Sequence, residues 1–301
     1  MSTEISIRWH SRAGQGAITA STALAEILGS HGKFVQSFPD FGAEKRGAPV
    51  VVFNRISNKK LADVSHPTKI DATVLLDPTL VASCEVSSSE LLAGLSGHGS
   101  LLVNSKQEKL RTPVGNANVF AVAASDIAIA EIGKDIPNVP ILGALVRILK
   151  LAKLSDFRKD LRQYLTNRLP AEIVAGNLRA FERGFREVVS ITGSKKPPKP
   201  NCDNLPSWQK TPAGAMVEKA GSSRNYATGN WSRQGCEWVK STCTNCNLCW
   251  PVCPHDAIKN DQKGNMIGVD MDKCTACGLC VVACPTRPKS LKITSKKSEN
   301  I

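Results

Sequence analysis

The stretch "EISIRWHSRAGQGAITASTALAEILG" (residues 4–29) decides the class of fold. EISIRW (4–9) alternates apolar and polar residues, the two-residue period of a half-buried strand. HSRAGQG reads as a loop, because Gly14 and Gly16 break any regular pattern. From Ala17 to about Gly29 the residues suit a helix. A strand that turns through glycines into a helix is a building unit of layered α/β domains. The chain beyond it keeps that rhythm. FVQSF (34–38) and VVVFNRI (50–56) are β-branched or aromatic runs. ATVLLD (72–77), SLLVNS (100–105) and NVFAVAAS (118–125) read as buried strands. Ile141–Ala152 and Glu172–Val189 space their apolar residues as helices do. Residues 1–191 are therefore expected to form an α/β domain with a mainly parallel sheet and flanking helices.

The rhythm stops at "TGSKKPPKPNCDNLPSWQKTPAG" (192–214), which holds five prolines among lysines. Such a stretch cannot build a core, so an extended linker is expected over 192–221. A small α+β domain should follow over 222–301.

That domain holds eight of the eleven cysteines. They form two runs of C-x2-C-x2-C-x3-C-P, and every member recurs 31 residues later: Cys243, Cys246, Cys249 and Cys253, then Cys274, Cys277, Cys280 and Cys284. In two-cluster ferredoxins this run places its fourth cysteine on the other cluster. One [4Fe–4S] cluster should then take Cys243, Cys246, Cys249 and Cys284, and the second Cys274, Cys277, Cys280 and Cys253, in a ferredoxin-like fold. Zinc usually pairs two C-x2-C knuckles across a longer gap, whereas here a third cysteine follows at once in each run. Lys263-Gly264-Asn265 between the runs signals a hairpin turn. His255 reads as a surface residue, because each cluster already has four thiolates. Cys84, Cys202 and Cys236 lack partners at ligand spacing and read as free thiols. A module of this kind moves single electrons.

Composition narrows the setting. Hydrophobic residues make up 42% of the chain, enough for a real core. The start shows no secretory pattern, and no run reaches the roughly 18 apolar residues of a membrane span. A cytoplasmic protein is expected, where clustered cysteines hold metal more often than they pair. The formal net charge is +13. Eight thiolates and two oxidised cluster cores would lower it to about +9. No aromatic and basic stacking platform accompanies the charge, which argues against a nucleic-acid partner.

By its chemistry, "RAGQG" between strand and helix suits an anion, since helix N-termini offer free N–H groups. Thr19 occupies the third glycine position of a dinucleotide fingerprint, so independent NAD or FAD binding is disfavoured. A tight structural turn, a subunit contact and a site for a phosphate-bearing ligand remain open. Glu44 and Arg46 read either as a surface ion pair or as a docking loop.

The segment "YATGNWSRQGCEWVKSTCTNCNLCWPVCP" (226–254) resembles the delta subunit of 2-oxoacid:ferredoxin oxidoreductases. Thr228, Gly229 and Trp231 match its T-G-x-W stretch, while Ser232 stands where arginine is usual. The N-terminal domain resembles the gamma subunit. "SRAGQGA" (11–17) and "FGAEKRGAP" (41–49) match its two loops at Gly14, Gln15, Gly16, Gly42, Glu44, Arg46 and Gly47, while Ser11, Ala13 and Ala48 replace glycines. The resemblance spans nearly the whole chain, gamma then delta. It implies a subunit of an oxidoreductase that decarboxylates a 2-oxoacid on thiamine diphosphate and sends electrons to soluble ferredoxin. It further implies thiamine-binding alpha and beta partners that hold thiamine diphosphate and Mg2+, in a dimer of heterotrimers. Gly14, Gln15, Gly16, Glu44 and Arg46 would be its cofactor-contacting residues, with coenzyme A as the candidate that the replaced glycines count against. A fused gamma–delta chain also fits the oxalate oxidoreductase branch. No G-D-G followed by an N-N segment is present, so this chain is not expected to be catalytic alone. The competing reading is an iron–sulfur adaptor subunit of a hydrogenase or formate dehydrogenase.

Overall fold

The computed structural model describes residues 4–40, 47–83, 85–106, 109–113, 116–194, 214, 216, 220–221, 227–232 and 234–295. The chain divides into two compact units, Met1–Asp203 and Asn204–Ile301. In the first, β1 (Glu4–Arg12) leads into α1 (Ala17–Ser30), β2 (Phe34–Asp40), β3 (Pro49–Ser57) and β4 (Ile70–Leu75). Two short helices, α2 (Thr79–Ala82) and α3 (Ser88–Leu92), precede β5 (Leu95–Asn104), β6 (Lys109–Pro113) and β7 (Asn118–Val122). Then come α4 (Ala124–Ile132), α5 (Asn138–Ile148), α6 (Leu154–Thr166), α7 (Ala171–Glu187) and β8 (Val189–Ser194).

The sheet order is β2-β3-β1-β4-β5-β7-β8-β6. β1, β4, β5 and β7 run parallel at its centre. β3 pairs antiparallel with β1 and β2, β8 pairs antiparallel with β7, and β6 lies parallel to β8. Both faces of the centre are covered. Val74, Leu102 and Val122 pack toward α1, α5 and α7, while Leu75, Leu101, Val103 and Val119 pack with Leu80 and Leu91 of the short helices. Successive side chains of a strand face opposite ways, so a strand buried on both faces reads as an unbroken apolar run. Gly143 of α5 and Gly184 of α7 let those helices touch: a Cβ at either would collide with the carbonyl oxygen of Phe181 or Pro140.

Four details differ from the sequence reading. β1 runs through His10, Ser11 and Arg12, where a loop was expected, because β3 pairs with it as far as Pro49. β7 stops at Val122 and α4 begins at Ala124. The buried Asn104 turns the chain there: its Oδ1 accepts from the Ser125 backbone N–H, and its Nδ2 donates to the Leu76 carbonyl and the Ser125 hydroxyl. β8 carries the chain to Ser194, past the expected linker start, since the backbone of residues 192–194 pairs with β6 and such pairing demands no apolar alternation. Helix α6 was not read from the sequence, although Phe157, Leu161, Tyr164 and Leu165 form its buried stripe.

The central strand β1 has unlike faces. Ile7 and Trp9 join the main core, whereas Arg8, His10 and Arg12 are buried on the other side. Neither ring nitrogen of His10 has a hydrogen-bond partner among the described residues. Burial, followed by the nearby charge of Arg8, holds its pKa down to about 3 from 6.5. The folded state therefore keeps this ring neutral while the unfolded chain takes up a proton below 6.5. The stability contributed by His10 is complete above that pH and drains away as pH falls toward 3. At pH 5 the loss should be about 2 kcal/mol. Urea midpoints at pH 7 and pH 5 should differ markedly in the native chain and much less in His10→Leu; an undiminished difference would exclude this origin.

Candidate iron–sulfur site and the glycine loop

The second unit contains β9 (Gln234–Trp238), β10 (Ile258–Asn260), β11 (Met266–Val269), α8 (Leu279–Ala283) and β12 (Leu291–Ser295). β9 pairs antiparallel with β12, and β10 with β11. The second pair is the hairpin signalled by Lys263-Gly264-Asn265, where Asp261 Oδ1 accepts from the backbone N–H of Lys263 and Asn265. The 31-residue repeat reappears in the backbone. Asn245 (φ 55°) and Asn247 (φ 56°) of the first cysteine run correspond to Ala276 (φ 54°) and Gly278 (φ 81°) of the second. Left-handed residues at these matching positions curl each run into a concave loop that can present N–H groups inward.

Each loop encloses a hollow. One is lined by Cys243, Cys246 and Cys249 of the first run and Cys284 of the second. The other is lined by Cys274, Cys277 and Cys280 of the second run and Cys253 of the first. All eight cysteines, with Cys236, are unlinked. Among the described residues, no three His, Cys, Asp or Glu side chains converge on a point as a single ion requires. Four thiols around a hollow are instead the donor set of a cubane. The Ala257 backbone N–H already points at Cys253 Sγ, 3.3 Å away. Burial pushes the Cys284 thiol up, but hydrogen bonds from Thr286 and Ser290 outweigh it and bring the pKa down to about 7. Burial pushes Cys249 up to about 11.

Two residues differ from expectation. Cys236, read as a free thiol with no partner at ligand spacing, is unlinked as expected, but it is buried with its Sγ 3.6 Å from Cys280 Sγ and lines the second hollow. His255, read as a surface residue, is half-buried and lines the same hollow, edge-on to Trp231. Both come near only because β9 and the Cys253–Ala257 segment fold over the second loop. Sequence spacing carries no signal for either. Cys84 and Cys202 lie outside the described residues.

The T-G-x-W segment acts as a clamp. Thr228 Oγ1 donates to the Lys273 carbonyl at 2.7 Å, and the Gly229 N–H to the Asp272 carbonyl at 2.7 Å. A Cβ at Gly229 would collide with the Met271 and Asp272 backbone, so glycine is required for this approach. The clamp fixes the turn that enters the second cysteine run.

In the first unit, Gln15 faces inward. Its Oε1 accepts from the Arg12 backbone N–H at 2.9 Å, and its Nε2 donates to Asp77 Oδ2 at 2.6 Å. Gly14 and Gly16 have φ of 102° and 82°, and a Cβ on Gly16 would strike the Asn138 side chain. The loop is tied to the second motif: Ala13 N–H donates to the Ala48 carbonyl and Gly47 N–H to the Ala13 carbonyl. Glu44 and Arg46 lie outside the described residues. A residue not singled out from sequence dominates here. Arg12, 1% exposed, donates to both Glu85 carboxylate oxygens at 2.8 Å and to the Gly47 carbonyl, 3.4 Å from Asp77. Burial pushes the Glu85 carboxyl up, but Arg12 and Ser83 more than offset this and hold it below its ordinary value.

Comparison with known proteins adds findings of three kinds. Residues 6–187 match the family described as pyruvate ferredoxin/flavodoxin oxidoreductase, and residues 233–291 match the 4Fe-4S dicluster domain. Pyruvate synthase subunit PorC of Thermotoga maritima is 42% identical over 185 residues, 60% of this chain and 93% of the relative. The common gamma subunit of the pyruvate/ketoisovalerate oxidoreductases of Thermococcus kodakarensis is 36% identical over 191 residues, 62% of this chain and 97% of the relative. The crystal structure of Thermotoga maritima pyruvate oxidoreductase subunit PORC superposes with a TM-score of 0.53 at 38% identity, covering 63% of this chain and 99% of that one.

Proposed function

This chain belongs to the pyruvate ferredoxin/flavodoxin oxidoreductase family and carries a 4Fe-4S dicluster domain after its gamma-type domain, and on that premise we propose that it is the electron-transfer and structural subunit of a thiamine-diphosphate-dependent 2-oxoacid:ferredoxin oxidoreductase. The observation that carries the reading is the sharing of thiols between the two hollows. Each hollow draws three from one run and the last from the other. In this reading Cys243, Cys246, Cys249 and Cys284 hold one [4Fe–4S] cluster, and Cys274, Cys277, Cys280 and Cys253 the other. Such clusters, when bound, supply one-electron acceptance and donation. The chain's own work is to hold them in place, with the Ala257 N–H and the Thr286 hydroxyl placed against ligand sulfurs.

Thiamine diphosphate and Mg2+ are assigned to alpha and beta partners in a cytoplasmic dimer of heterotrimers, with soluble ferredoxin as acceptor. The 2-oxoacid is then chosen on those partners. The Thermococcus relative supports this, for a subunit common to pyruvate and ketoisovalerate oxidoreductases does not select between them. The named relatives favour a pyruvate-type substrate over oxalate. Gln15, with both ends of its amide occupied, favours a structural tie over direct contact with coenzyme A. The reading is tested by isolating the chain with and without co-purifying subunits. With pyruvate, thiamine diphosphate, Mg2+ and a viologen dye, the complex should reduce the dye and the chain alone should not. Robust reduction by the lone chain would overturn it.

A further inference from the structure

The second hollow is lined by five thiols, one more than a cubane requires. Four belong to the repeated runs. The fifth, Cys236, sits on β9 and is held there by pairing opposite Ile293 of β12. It is 2% exposed. Its Sγ lies 3.6 Å from Cys280 Sγ, far longer than the roughly 2.05 Å of a disulfide bond and within reach of an S–H···S hydrogen bond. The competing acceptor, the Glu237 carbonyl, is at 3.9 Å. A thiolate bound to iron carries more negative charge than a peptide carbonyl, so it is the stronger acceptor.

We propose that Cys236 is a positioning donor for the second cluster site: its thiol hydrogen-bonds to the Cys280 sulfur and raises the reduction potential of the cluster held by Cys253, Cys274, Cys277 and Cys280. This rests on the cluster reading above. Reduction adds negative charge that spreads onto the ligand sulfurs, and a donor aimed at one of them stabilises the reduced state more than the oxidised one. The first hollow has a different donor, the Thr286 hydroxyl, 3.2 Å from Cys284 Sγ. Two clusters with the same ligand chemistry thereby acquire different surroundings, and a difference in potential gives electrons a direction.

The test is a redox titration, followed by electron paramagnetic resonance, of the anaerobically purified full chain in its complex. Native protein is compared with Cys236→Ala and Cys236→Ser. Iron should stay at about eight per chain in all three. In the alanine variant one cluster should shift to more negative potential by about tenfold in its reduction equilibrium, or about 59 mV. The serine variant, which keeps a donor, should recover most of that shift, and the other cluster should not move. Unchanged potentials in Cys236→Ala would overturn the proposal. So would an equal shift in both variants, which would mean packing alone, or loss of half the iron, which would make Cys236 a ligand. Native protein without iron would instead overturn the underlying cluster reading.

Discussion

Replacing Cys249 and Cys284 together with serine is expected to remove one cluster and spare the other, leaving about four of about eight iron atoms per chain. Replacing Cys249 and Cys253, which lie on one run, is expected to remove both. The contrast follows from the lining of the hollows, where Cys284 joins Cys249 and Cys253 joins Cys274. Iron analysis and visible absorbance of anaerobic preparations measure it. If the same-run pair spared a cluster and the cross-run pair spared none, the sharing would be wrong. The same-run variant should also lose the fold of the second unit. Among the described residues its buried cluster joins Cys236, Cys249, Cys274 and Cys280 to Ala257, Ile258, Met266 and Leu291, with Trp238, Val269, Val281 and Ile293 partly buried against it. So few apolar side chains cannot stabilise a unit of this size, so cluster binding and folding should be coupled.

The second large effect belongs to Arg12. Its guanidinium is buried against Glu85 and Asp77. Arg12→Met leaves the Glu85 carboxylate with the Ser83 hydroxyl in place of a charged partner, and the Gly47 carbonyl without that donor. Breaking one side of a buried pair typically costs about 3–5 kcal/mol, and the partial exposure of Glu85 puts this loss at the lower end. Urea unfolding followed by far-ultraviolet circular dichroism, which reports mainly the helices of the first unit, should show a loss of that size. Arg12→Met combined with Glu85→Met should recover a large part, because no stranded charge remains at Glu85. Asp77 keeps Gln15 and Thr79 as donors in either variant. A double variant no more stable than the single one would show that the arginine acts through packing rather than charge.

The two units were legible to different degrees. Strands β4 and β5 were readable because burial on both faces leaves an apolar run that no other local structure explains. Helix α6 carries as clear a stripe, Phe157, Leu161, Tyr164 and Leu165, but charged neighbours surround it in the sequence. The end of β7 could not be read at all. Asn104, on another strand, decides it through hydrogen bonds to Ser125. The hairpin around Gly264 was readable because its turn is local: Gly264 sits at φ 80° and Asp261 closes the loop within four residues. Family membership was visible in short motifs, of which Gly229 now has a steric reason and Gln15 an internal hydrogen-bonding one.

By itself the amino-acid sequence determined the layered α/β class, the break at the proline-rich segment and the two cysteine runs, because each is a pattern of neighbours. Periodicity, ring constraint and ligand spacing all act over a few residues. Only the tertiary structure decided that Cys236 lies beside Cys280, that Arg12 bridges Gly47 to Glu85, and that the His10 ring is buried with no hydrogen-bond partner among the described residues. These join residues distant along the chain, or depend on what covers a side chain. Their energies come from removing charge and thiol from water, a quantity set by the surroundings and not by adjacent residues.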